Sequence, residues 1–270
     1  MKSLNGAELA DFVKVRQLKA VRNLRQQHKI IPKLAIVQTI DSSIIDSYVR
    51  LKRRYGDDIL VEVEVHKVEQ SAASDLIKQL NQDGGVHGII VQLPLAEPTQ
   101  TDELVNLVHP EKDVDGLGER AEFDPATPMA INWLLTGYNV ELTQNKIVIV
   151  GAGRLVGRPL DKMWRNSGLE PTVIDIDTPE ADKKAALAEA DIIVTATGVP
   201  GLLTSDLIRP GAVVVDAGTA TSDGKLVGDV DPAVRERHDL TITPEKGGVG
   251  PLTVAALFDN LIRAARATIS

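Results

Sequence analysis

The clearest indication of the fold is the sequence Lys146-Ile-Val-Ile-Val-Gly-Ala-Gly-Arg-Leu-Val-Gly-Arg-Pro159. Its β-branched apolar run predicts a buried parallel strand, and the closely spaced glycines that follow predict a tight turn into a helix. Such a turn lets the backbone approach a pyrophosphate at the positive end of the helix. The glycines stand at 151, 153 and 157, one residue longer than the G-x-G-x-x-G spacing, and by spacing alone they also fit an ordinary tight turn.

Strand and helix patterns continue to alternate after this turn, which favours a nucleotide site. The predicted strands are 172–176, 191–197, 212–216 and 241–243, and the predicted helices are 180–190 and 252–267. This order predicts a doubly wound parallel sheet, the architecture of a nucleotide-binding domain.

The first half of the chain alternates in the same way. Apolar residues at helical spacing predict an amphipathic helix over 6–27. The further predicted strands are 33–39, 59–65 and 86–92, and the further predicted helices are 43–55, 71–80 and 101–108. From 116 to 128 the periodicity disappears and Gly, Pro and charged residues dominate, so we place a domain boundary there. The predicted fold class is α/β with two domains.

Composition limits the classes of function. The chain has 270 residues, of which 43% are apolar, and can bury a substantial core. A formal net charge of -8 and a pI near 5.2 argue against a nucleic-acid partner. The absence of cysteine excludes disulfides, zinc–thiolate sites and thiol nucleophiles. Because we find no signal-peptide pattern and no apolar run near the ~18 residues of a membrane span, we expect a soluble cytoplasmic protein.

Tyr48 and Lys52 stand at positions i and i+4 of a predicted helix, so a phenol ring and an ammonium group share one face. By itself this pair also fits a surface or packing contact. Short-chain dehydrogenases use the same spacing, but their pair follows the glycine turn. Here the pair precedes it by about a hundred residues, which disfavours that family.

Gln92 ends a predicted buried strand and is followed by a proline turn. Ligands of open α/β sheets gather at the carboxyl ends of strands, so Gln92 is well placed to face a binding site. A polar strand terminus without function is the alternative.

The stretch 109–116 places Asp113, Asp115 and Gly116 on a predicted turn. It resembles the opening of a calcium loop, but no Glu follows at the last ligand position, so we predict no metal site. An ordinary Asx turn at Asp113 is the alternative. The glycine-rich stretch 243–253 before the last helix predicts either a backbone cradle for a ligand or a loop that requires positive φ angles.

Six motifs occur together in one order along the chain. They are Tyr48-x-x-x-Lys52, Val91-Gln-Leu-Pro-Leu95, Lys112-Asp-Val-Asp-Gly116, Pro125-x-Thr-Pro128, Val156-Gly-Arg-Pro159 and Gly247-Gly-Val-Gly-Pro-Leu-Thr253. Over almost the whole chain, this combination resembles the bifunctional methylenetetrahydrofolate dehydrogenase/cyclohydrolases. The resemblance implies oxidation of 5,10-methylenetetrahydrofolate with NAD(P), hydrolysis of the methenyl product to 10-formyltetrahydrofolate in one-carbon metabolism, and a homodimer.

The resemblance also implies a domain organisation. A folate-binding catalytic domain would cover 1–124 and be closed by a helix over 252–270. A Rossmann-like NAD(P)-binding domain would cover 125–251, with a cleft between the two.

Roles follow from the same resemblance. Tyr48 would stack on the folate, Lys52 would act as the acid/base residue, Gln92 would be its hydrogen-bonded partner, and Asp115 would hold the pterin. The other implied substrate-binding residues are Val91, Leu93, Gly247, Gly248, Val249, Gly250, Pro251, Leu252 and Thr253. The implied cofactor-binding residues are Gly151, Ala152, Gly153, Arg154, Val156, Gly157, Arg158, Asp175, Asp177 and Thr219.

Some positions depart from the family pattern. Ile44 and Ile45 replace small residues, and only nine residues separate Asp115 from Pro125, where the family has a longer loop.

Three alternatives to the bifunctional enzyme remain open at this point. They are a monofunctional NAD-dependent dehydrogenase with impaired cyclohydrolase activity, a non-folate reductase of the same fold, and a non-catalytic binding relative. The retained acid/base, amide and pterin-binding residues argue against the last.

The choice between NAD and NADP depends on the end of the predicted strand 172–176. A carboxylate about 20 positions after the glycine turn accepts hydrogen bonds from the adenosine ribose, and it repels a 2'-phosphate. Asp175 and Asp177 lie there, so we predict that NAD is favoured, with Asp175 as the first ribose ligand and Asp177 as the second. Arg154 and Arg158 are the cations that would instead allow NADP.

Overall fold

The computed structural model describes residues 2–222 and 225–269, which form two compact units. The glycine-loop unit contains Thr127–Thr253 and the start of the chain through Ala10; the lysine unit contains Asp11–Ala126 and the chain from Val254 onwards. The helices are α1 (Gly6–Gln27), α2 (Ser43–Asp58), α3 (Gln70–Gln82), α4 (Thr101–Leu107), α5 (Ala126–Gly137), α6 (Gly157–Asn166), α7 (Glu180–Glu189) and α8 (Val249–Ala267). The strands are β1 (Lys2–Ser3), β2 (Lys33–Gln38), β3 (Glu62–Lys67), β4 (Gly88–Gln92), β5 (Ile147–Val150), β6 (Thr172–Ile174), β7 (Ile192–Thr195), β8 (Val213–Asp216), β9 (Ala220–Ser222), β10 (Lys225–Val227) and β11 (Thr241–Ile242).

The glycine-loop unit is built on a parallel sheet with the strand order β1-β11-β8-β7-β5-β6. From β5 the chain moves to one side for β6 and returns to the other side for β7, β8 and β11. The strand order therefore reverses between β5 and β7, and the predicted doubly wound sheet is confirmed. In such sheets ligands bind at the carboxyl ends of the strands beside this reversal.

Burial explains why the central strands of this sheet are apolar without alternation. The side chains of β5 and β7 are buried along their whole length, as expected for parallel strands covered on both faces. Helix α6 contributes Leu160 and Trp164, both nearly fully buried. The strand that precedes the glycine loop is thus held in a rigid core.

The lysine unit contains a smaller parallel sheet with the order β3-β2-β4. Its middle strand β2 and its edge strand β4 are buried, and α3 and α4 pack on them through Ile77 and Leu104. All three strands end at the same edge of the sheet. The side chains that follow β2 and β4 therefore lie close together.

At 59–65 and at 126–137 the structure differs from what the sequence pattern predicted. Helix α5 covers Ala126–Gly137, a stretch in which no helix was recognised, because α5 is largely buried and shows no polar stripe. Pro128 lies in the first turn of α5, where proline is tolerated. The strand predicted at 59–65 begins later, at Glu62, because Ile59 ends α2 and Leu60 turns the chain with a φ of 65°.

The bounds predicted for α1 are confirmed.

The compact units differ from the predicted domains at the start of the chain, since residues through Ala10 belong to the glycine-loop unit, where β1 pairs with β11. Residues 1 and 270 of the predicted domain ranges lie outside the described residues. Among the described residues, none of the helices combines the length and the hydropathy that a membrane span requires.

Candidate active site

Helix α2 places Tyr48 and Lys52 one turn apart, and both side chains are half-buried. The carboxyl-terminal part of the helix is fixed by Tyr55. Its hydroxyl donates to Gln17 Oε1 at 2.8 Å, and its ring stacks on Phe258 with 5.0 Å between ring centroids. A helix anchored in this way holds the phenol and the ammonium group in fixed positions.

Gln92, the last residue of β4, contacts Lys52 directly. Lys52 Nζ donates to Gln92 Oε1 at 2.7 Å, and Gln92 Nε2 donates to the carbonyl oxygen of Leu93 at 2.9 Å. The second bond fixes the amide so that its oxygen faces the lysine. Gln92 is buried, and Leu93, which precedes Pro94, is half-buried.

The charge of Lys52 is destabilised at this position. Burial lowers the pKa of Lys52 below its ordinary value, and the carboxylate of Asp115 opposes the shift. Burial likewise raises the pKa of Asp115, and Lys52 opposes that shift. Burial also raises the pKa of Tyr48, so its phenol stays protonated. A lysine that loses its proton more readily can act as a general base.

The turn that carries Asp115 is organised by Asp113. The carboxylate of Asp113 accepts the amides of Gly116 at 3.0 Å, Leu117 at 3.4 Å and Gly118 at 2.7 Å. The Asx turn is therefore confirmed. Gly116 has a φ of 69°, and a Cβ there would lie 2.7 Å from the carbonyl oxygen of Phe123, so this position requires glycine.

Asn260 of α8 fixes both ends of the same loop. Its Nδ2 donates to the carbonyl oxygen of Val114 at 3.0 Å and to that of Asp124 at 2.9 Å. Asn260 is fully buried. Asn260 was not predicted from the sequence, because a single polar residue in an apolar helix carries no signal of a partner 146 residues away.

A second buried amide, Gln38, was also missed. Gln38 ends β2 and is the register partner of Gln92. Its Nε2 donates to Asp46 Oδ1 in the first turns of α2 at 3.0 Å, and Lys67 Nζ donates to the same oxygen at 3.1 Å. These bonds tie the start of α2 to the carboxyl end of the sheet. A polar residue that closes an apolar strand was the available signal.

In the glycine-loop unit, the loop after β5 fits a dinucleotide. Gly151 has a φ of 103°, and a Cβ on Gly157 would lie 1.8 Å from the carbonyl oxygen of Gly151. The first turn of α6 therefore approaches the loop backbone as only glycine allows. The loop lies at the strand reversal beside β7, with the amide groups of the α6 N-terminus next to it, and this arrangement suits a pyrophosphate. A Cβ on Gly153 would meet nothing nearer than 3.7 Å, so glycine is not required there.

Asp175 follows β6 directly and is half-buried, whereas Asp177 is exposed. Asp175 Oδ1 accepts the amide of Asp177 at 3.0 Å and the hydroxyl of Thr178 at 3.2 Å. These bonds hold the Asp175 carboxylate in place at the strand end. Of the two predicted ribose ligands, Asp175 is the more firmly oriented.

The glycine-rich stretch near the end of the chain is only partly a loop. The helix predicted from 252 begins at Val249, so its first turns contain Val249, Gly250, Pro251, Leu252 and Thr253. Pro251 is compatible with this because the first residues of a helix need no amide partner. Gly247 has a φ of 82°, as expected for a loop that requires positive φ angles. Its carbonyl oxygen accepts the amide of Ala7 at 3.0 Å.

The other predicted binding residues take varied positions. Val91 is buried, Ala152, Arg154 and Val156 are half-buried, and Arg158 and Thr219 are exposed. Within the described ranges, no group of three His, Cys, Asp or Glu residues is placed to hold a metal ion.

The doubly wound sheet and the glycine loop define a class, the two-unit α/β proteins with a dinucleotide-binding fold. Two family models match this chain. The model described as Tetrahydrofolate dehydrogenase/cyclohydrolase, catalytic domain, matches residues 4–115, and the model of the NAD(P)-binding domain of the same family matches residues 125–269. The chain therefore belongs to the tetrahydrofolate dehydrogenase/cyclohydrolase family.

Relatives match over nearly the full length. The bifunctional protein FolD of Exiguobacterium sibiricum is 36% identical over 97% of this chain and 99% of its own. The crystal structure of the bifunctional FolD of Campylobacter jejuni has a TM-score of 0.93 at 33% identity, with complete coverage of both chains. The Trypanosoma brucei FolD structure, complexed with NADP cofactor and an inhibitor, has a TM-score of 0.91 at 29% identity over 99% of this chain and 98% of its own.

Proposed function

We propose that this chain oxidises 5,10-methylenetetrahydrofolate to the methenyl form with NAD(P)+, and then hydrolyses the methenyl form to 10-formyltetrahydrofolate. The observation that carries the proposal is the contact of Lys52 Nζ with Gln92 Oε1 at 2.7 Å, in a chain that belongs to the family. Asp115 supplies the opposing charge, and Tyr48 lies one turn away on the same helix.

Lys52 acts in the hydrolysis. A water molecule forms a C–O bond to the methenyl carbon, and the bond from that carbon to N5 breaks with its electron pair staying on N5. One proton of the water ends on N5, and the other is released. Both transfers need a group that accepts and donates protons, and burial lowers the pKa of Lys52, so that it loses its proton more readily than an exposed lysine.

The oxidation depends on alignment more than on a strong base. The C–H bond of the methylene bridge breaks with its electron pair while the lone pair of the neighbouring folate nitrogen forms the C=N bond. When bound, the nicotinamide ring supplies the hydride acceptor. Tyr48 would stack on the folate and Asp115 would hold the pterin, which fixes the substrate for this step.

The loop from Gly151 to Arg158 would hold the pyrophosphate, and Asp175 would hold the adenosine ribose. We further propose that NAD is preferred over NADP. The Asp175 carboxylate is oriented by its own turn, and a 2'-phosphate beside it would meet like charge. The Trypanosoma brucei relative was solved in complex with NADP, so NADP is the alternative cofactor. In this chain, Arg154 or Arg158 would then have to bind its 2'-phosphate.

We expect a cytoplasmic enzyme that acts as a homodimer on tetrahydrofolate derivatives. Light scattering at micromolar concentration should give the mass of a dimer, and a monomer mass would contradict the assembly.

One assay tests the main proposal. Purified protein is mixed with methylenetetrahydrofolate and either cofactor, and the nicotinamide and methenyl absorbances are followed separately. Formation of reduced cofactor followed by loss of the methenyl absorbance is expected. If reduced cofactor forms while the methenyl absorbance persists, the chain is a dehydrogenase without cyclohydrolase activity.

A further inference from the structure

A buried carboxylate that neither proposed reaction uses lies in the glycine-loop unit. Asp229 is fully buried, and its Oδ2 accepts the amide of Thr197 at 2.6 Å. Its Oδ1 is buried as well and has no hydrogen-bond partner within the described residues. Burial raises the pKa of Asp229, and the Thr197 amide opposes that shift. A charge-assisted hydrogen bond from a backbone amide to a buried carboxylate is strong and holds that part of the turn in place.

Asp229 is itself held by Asp216, the last residue of β8. Asp216 Oδ1 accepts the amide of Asp229 at 3.0 Å, and Asp216 Oδ2 accepts the amide of Val230 at 3.2 Å and Arg235 Nη2 at 2.6 Å. Arg235 therefore neutralises the charge of Asp216, one of the two buried carboxylates. The chain of contacts runs from Arg235 through Asp216 and Asp229 to Thr197.

Two glycines make room for these carboxylates. A Cβ on Gly218 would lie 2.0 Å from Asp229 Oδ1, and a Cβ on Gly228 would lie 2.0 Å from Asp216 Oδ2. Neither distance is possible for a real side chain. The spacing Asp216-x-Gly218 and the pair Gly228-Asp229 thus serve one arrangement, in which each carboxylate occupies the space beside the other segment's glycine.

The turn that Asp229 holds is in contact with the glycine loop. Thr197 and Gly198 follow β7, the strand next to β5 at the reversal of strand order. A Cβ on Gly151 would lie 2.7 Å from the carbonyl oxygen of Ala196 and 3.0 Å from Thr197 Cγ2. Displacement of this turn would therefore change the wall against which the glycine loop packs.

We propose that Asp229 is a positioning residue for the dinucleotide, which it serves by fixing the Thr197–Gly198 turn beside the glycine loop. This inference rests on the proposed cofactor site. Asp229 does not contact the reacting atoms. It sets the shape of the site through the backbone of Thr197, so its loss weakens binding of the cofactor and leaves the chemistry of the lysine unit intact.

The test compares Asp229→Ala, Asp229→Asn and Asp191→Ala with the unaltered protein. Asp191 is a matched control, since its Oδ2 accepts the Lys146 amide at 2.8 Å and its Oδ1 pairs with Arg209 at 2.6 Å. It directly precedes β7 and therefore lies at the amino-terminal end of that strand, whereas Thr197 lies beyond its carboxyl end. Calorimetry gives the Kd of NADH and NADPH, and amide hydrogen exchange in cofactor-free protein reports on Thr197 and Gly198.

Asp229→Ala should raise the cofactor Kd by roughly 10- to 100-fold, the range for a lost hydrogen bond to a charged group. Asp229→Asn keeps a neutral acceptor and should fall between Asp229→Ala and the unaltered protein. Exchange at Thr197 and Gly198 should accelerate in the same order. Methenyl hydrolysis, which needs no dinucleotide, should keep its kcat and KM, and Asp191→Ala should change neither Kd nor exchange at the turn.

Failure of the unaltered protein to bind either dinucleotide would contradict the proposed function. If the unaltered protein binds and Asp229→Ala binds equally well, the positioning role is wrong. The role is also wrong if Asp191→Ala weakens binding as much as Asp229→Ala. Should Asp229→Ala not fold, Asp229→Asn decides, because unchanged Kd and unchanged exchange at the turn would then overturn the role.

Discussion

Gln38 and Gln92 are register partners on neighbouring parallel strands, so their side chains leave the sheet of the lysine unit on the same face. Gln38 binds Asp46 in the first turns of α2, and Gln92 binds Lys52 almost two turns later. Two buried amides thus attach one helix to one edge of the sheet. The position of the Lys52 amine is therefore set by the sheet as well as by its own helix.

Replacement of Lys52 by Met should abolish most of the methenyl hydrolysis. The thioether fills a similar volume but carries no proton, and loss of a general acid/base group costs about 100- to 10,000-fold in rate. Folate binding, measured by fluorescence or calorimetry, should stay close to that of the unaltered protein. Arg53→Met is the control, because Arg53 is exposed on the same helix. Undiminished hydrolysis in Lys52→Met would refute the assignment.

Replacement of Gln92 by Glu should shift the pH profile of hydrolysis to higher pH. A carboxylate in contact with Lys52 Nζ stabilises the ammonium form, so the pKa of Lys52 rises and the neutral amine is less populated at pH 7. Where the ammonium form predominates, a pKa higher by one lowers the population of the neutral amine, and with it the rate, by about ten-fold.

The measurement is kcat against pH for Gln92→Glu, with Gln92→Met as the control. Gln92→Met removes the hydrogen bond without adding charge, so it should lower kcat without an upward shift. A Gln92→Glu profile that stays in place or moves to lower pH would show that this amide does not control the protonation of Lys52.

Asp113 should make the protein more stable at pH 5 than at pH 7. Burial raises its pKa to about 6, while the backbone amides of Gly118, Leu117 and Gly116 oppose the shift. Because the pKa in the unfolded chain is lower, the folded state binds the proton more tightly. The free energy of unfolding therefore falls as pH rises through about 4 to 6, by about 1 kcal/mol between pH 5 and pH 7.

Urea unfolding of the unaltered protein and of Asp113→Asn at both pH values checks this contribution. Asparagine does not titrate, so the variant should lack the share of the pH dependence that belongs to Asp113. Equal pH dependence in both proteins would mean that Asp113 does not titrate in this range.

The sequence predicted the parts of the site that are local. Tyr48 and Lys52 share a helix face, Gln92 closes a strand, and the glycine loop joins a strand to a helix; each pattern spans only a few residues. The buried contacts of Asn260 with Val114 and of Asp229 with Thr197 could not be predicted, because each joins segments that are distant in the chain. Single polar residues in such contacts leave no periodic signal.

The same reasoning explains the errors in the fold. Helix α5 is buried on most of its surface, so it lacks the polar stripe by which helices are recognised. The start of α8 was assigned to a loop because glycine and proline dominate it, although both are tolerated in a first turn. In both places packing by the rest of the chain outweighs local propensity.

The proposed preference for NAD over NADP can be tested at the end of β6. Asp175 is half-buried and oriented by the amide of Asp177 and the hydroxyl of Thr178, so its carboxylate is fixed where the adenosine ribose would bind. In the unaltered protein kcat/KM should be higher with NAD than with NADP. Asp175→Ser removes the charge and should reduce this ratio by about ten-fold or more, because a repulsion of about 1.4 kcal/mol corresponds to ten-fold.

Asp177→Ser serves as the matched control, since Asp177 carries the same charge two residues later but is exposed to solvent, which screens it. Its effect on the ratio should be smaller than that of Asp175→Ser. A clear advantage for NADP in the unaltered protein, or unchanged selectivity in Asp175→Ser, would show that the arginines of the glycine loop rather than this strand end determine the cofactor. Equal effects of the two substitutions would instead indicate that the summed charge of the segment acts, and not the oriented carboxylate of Asp175.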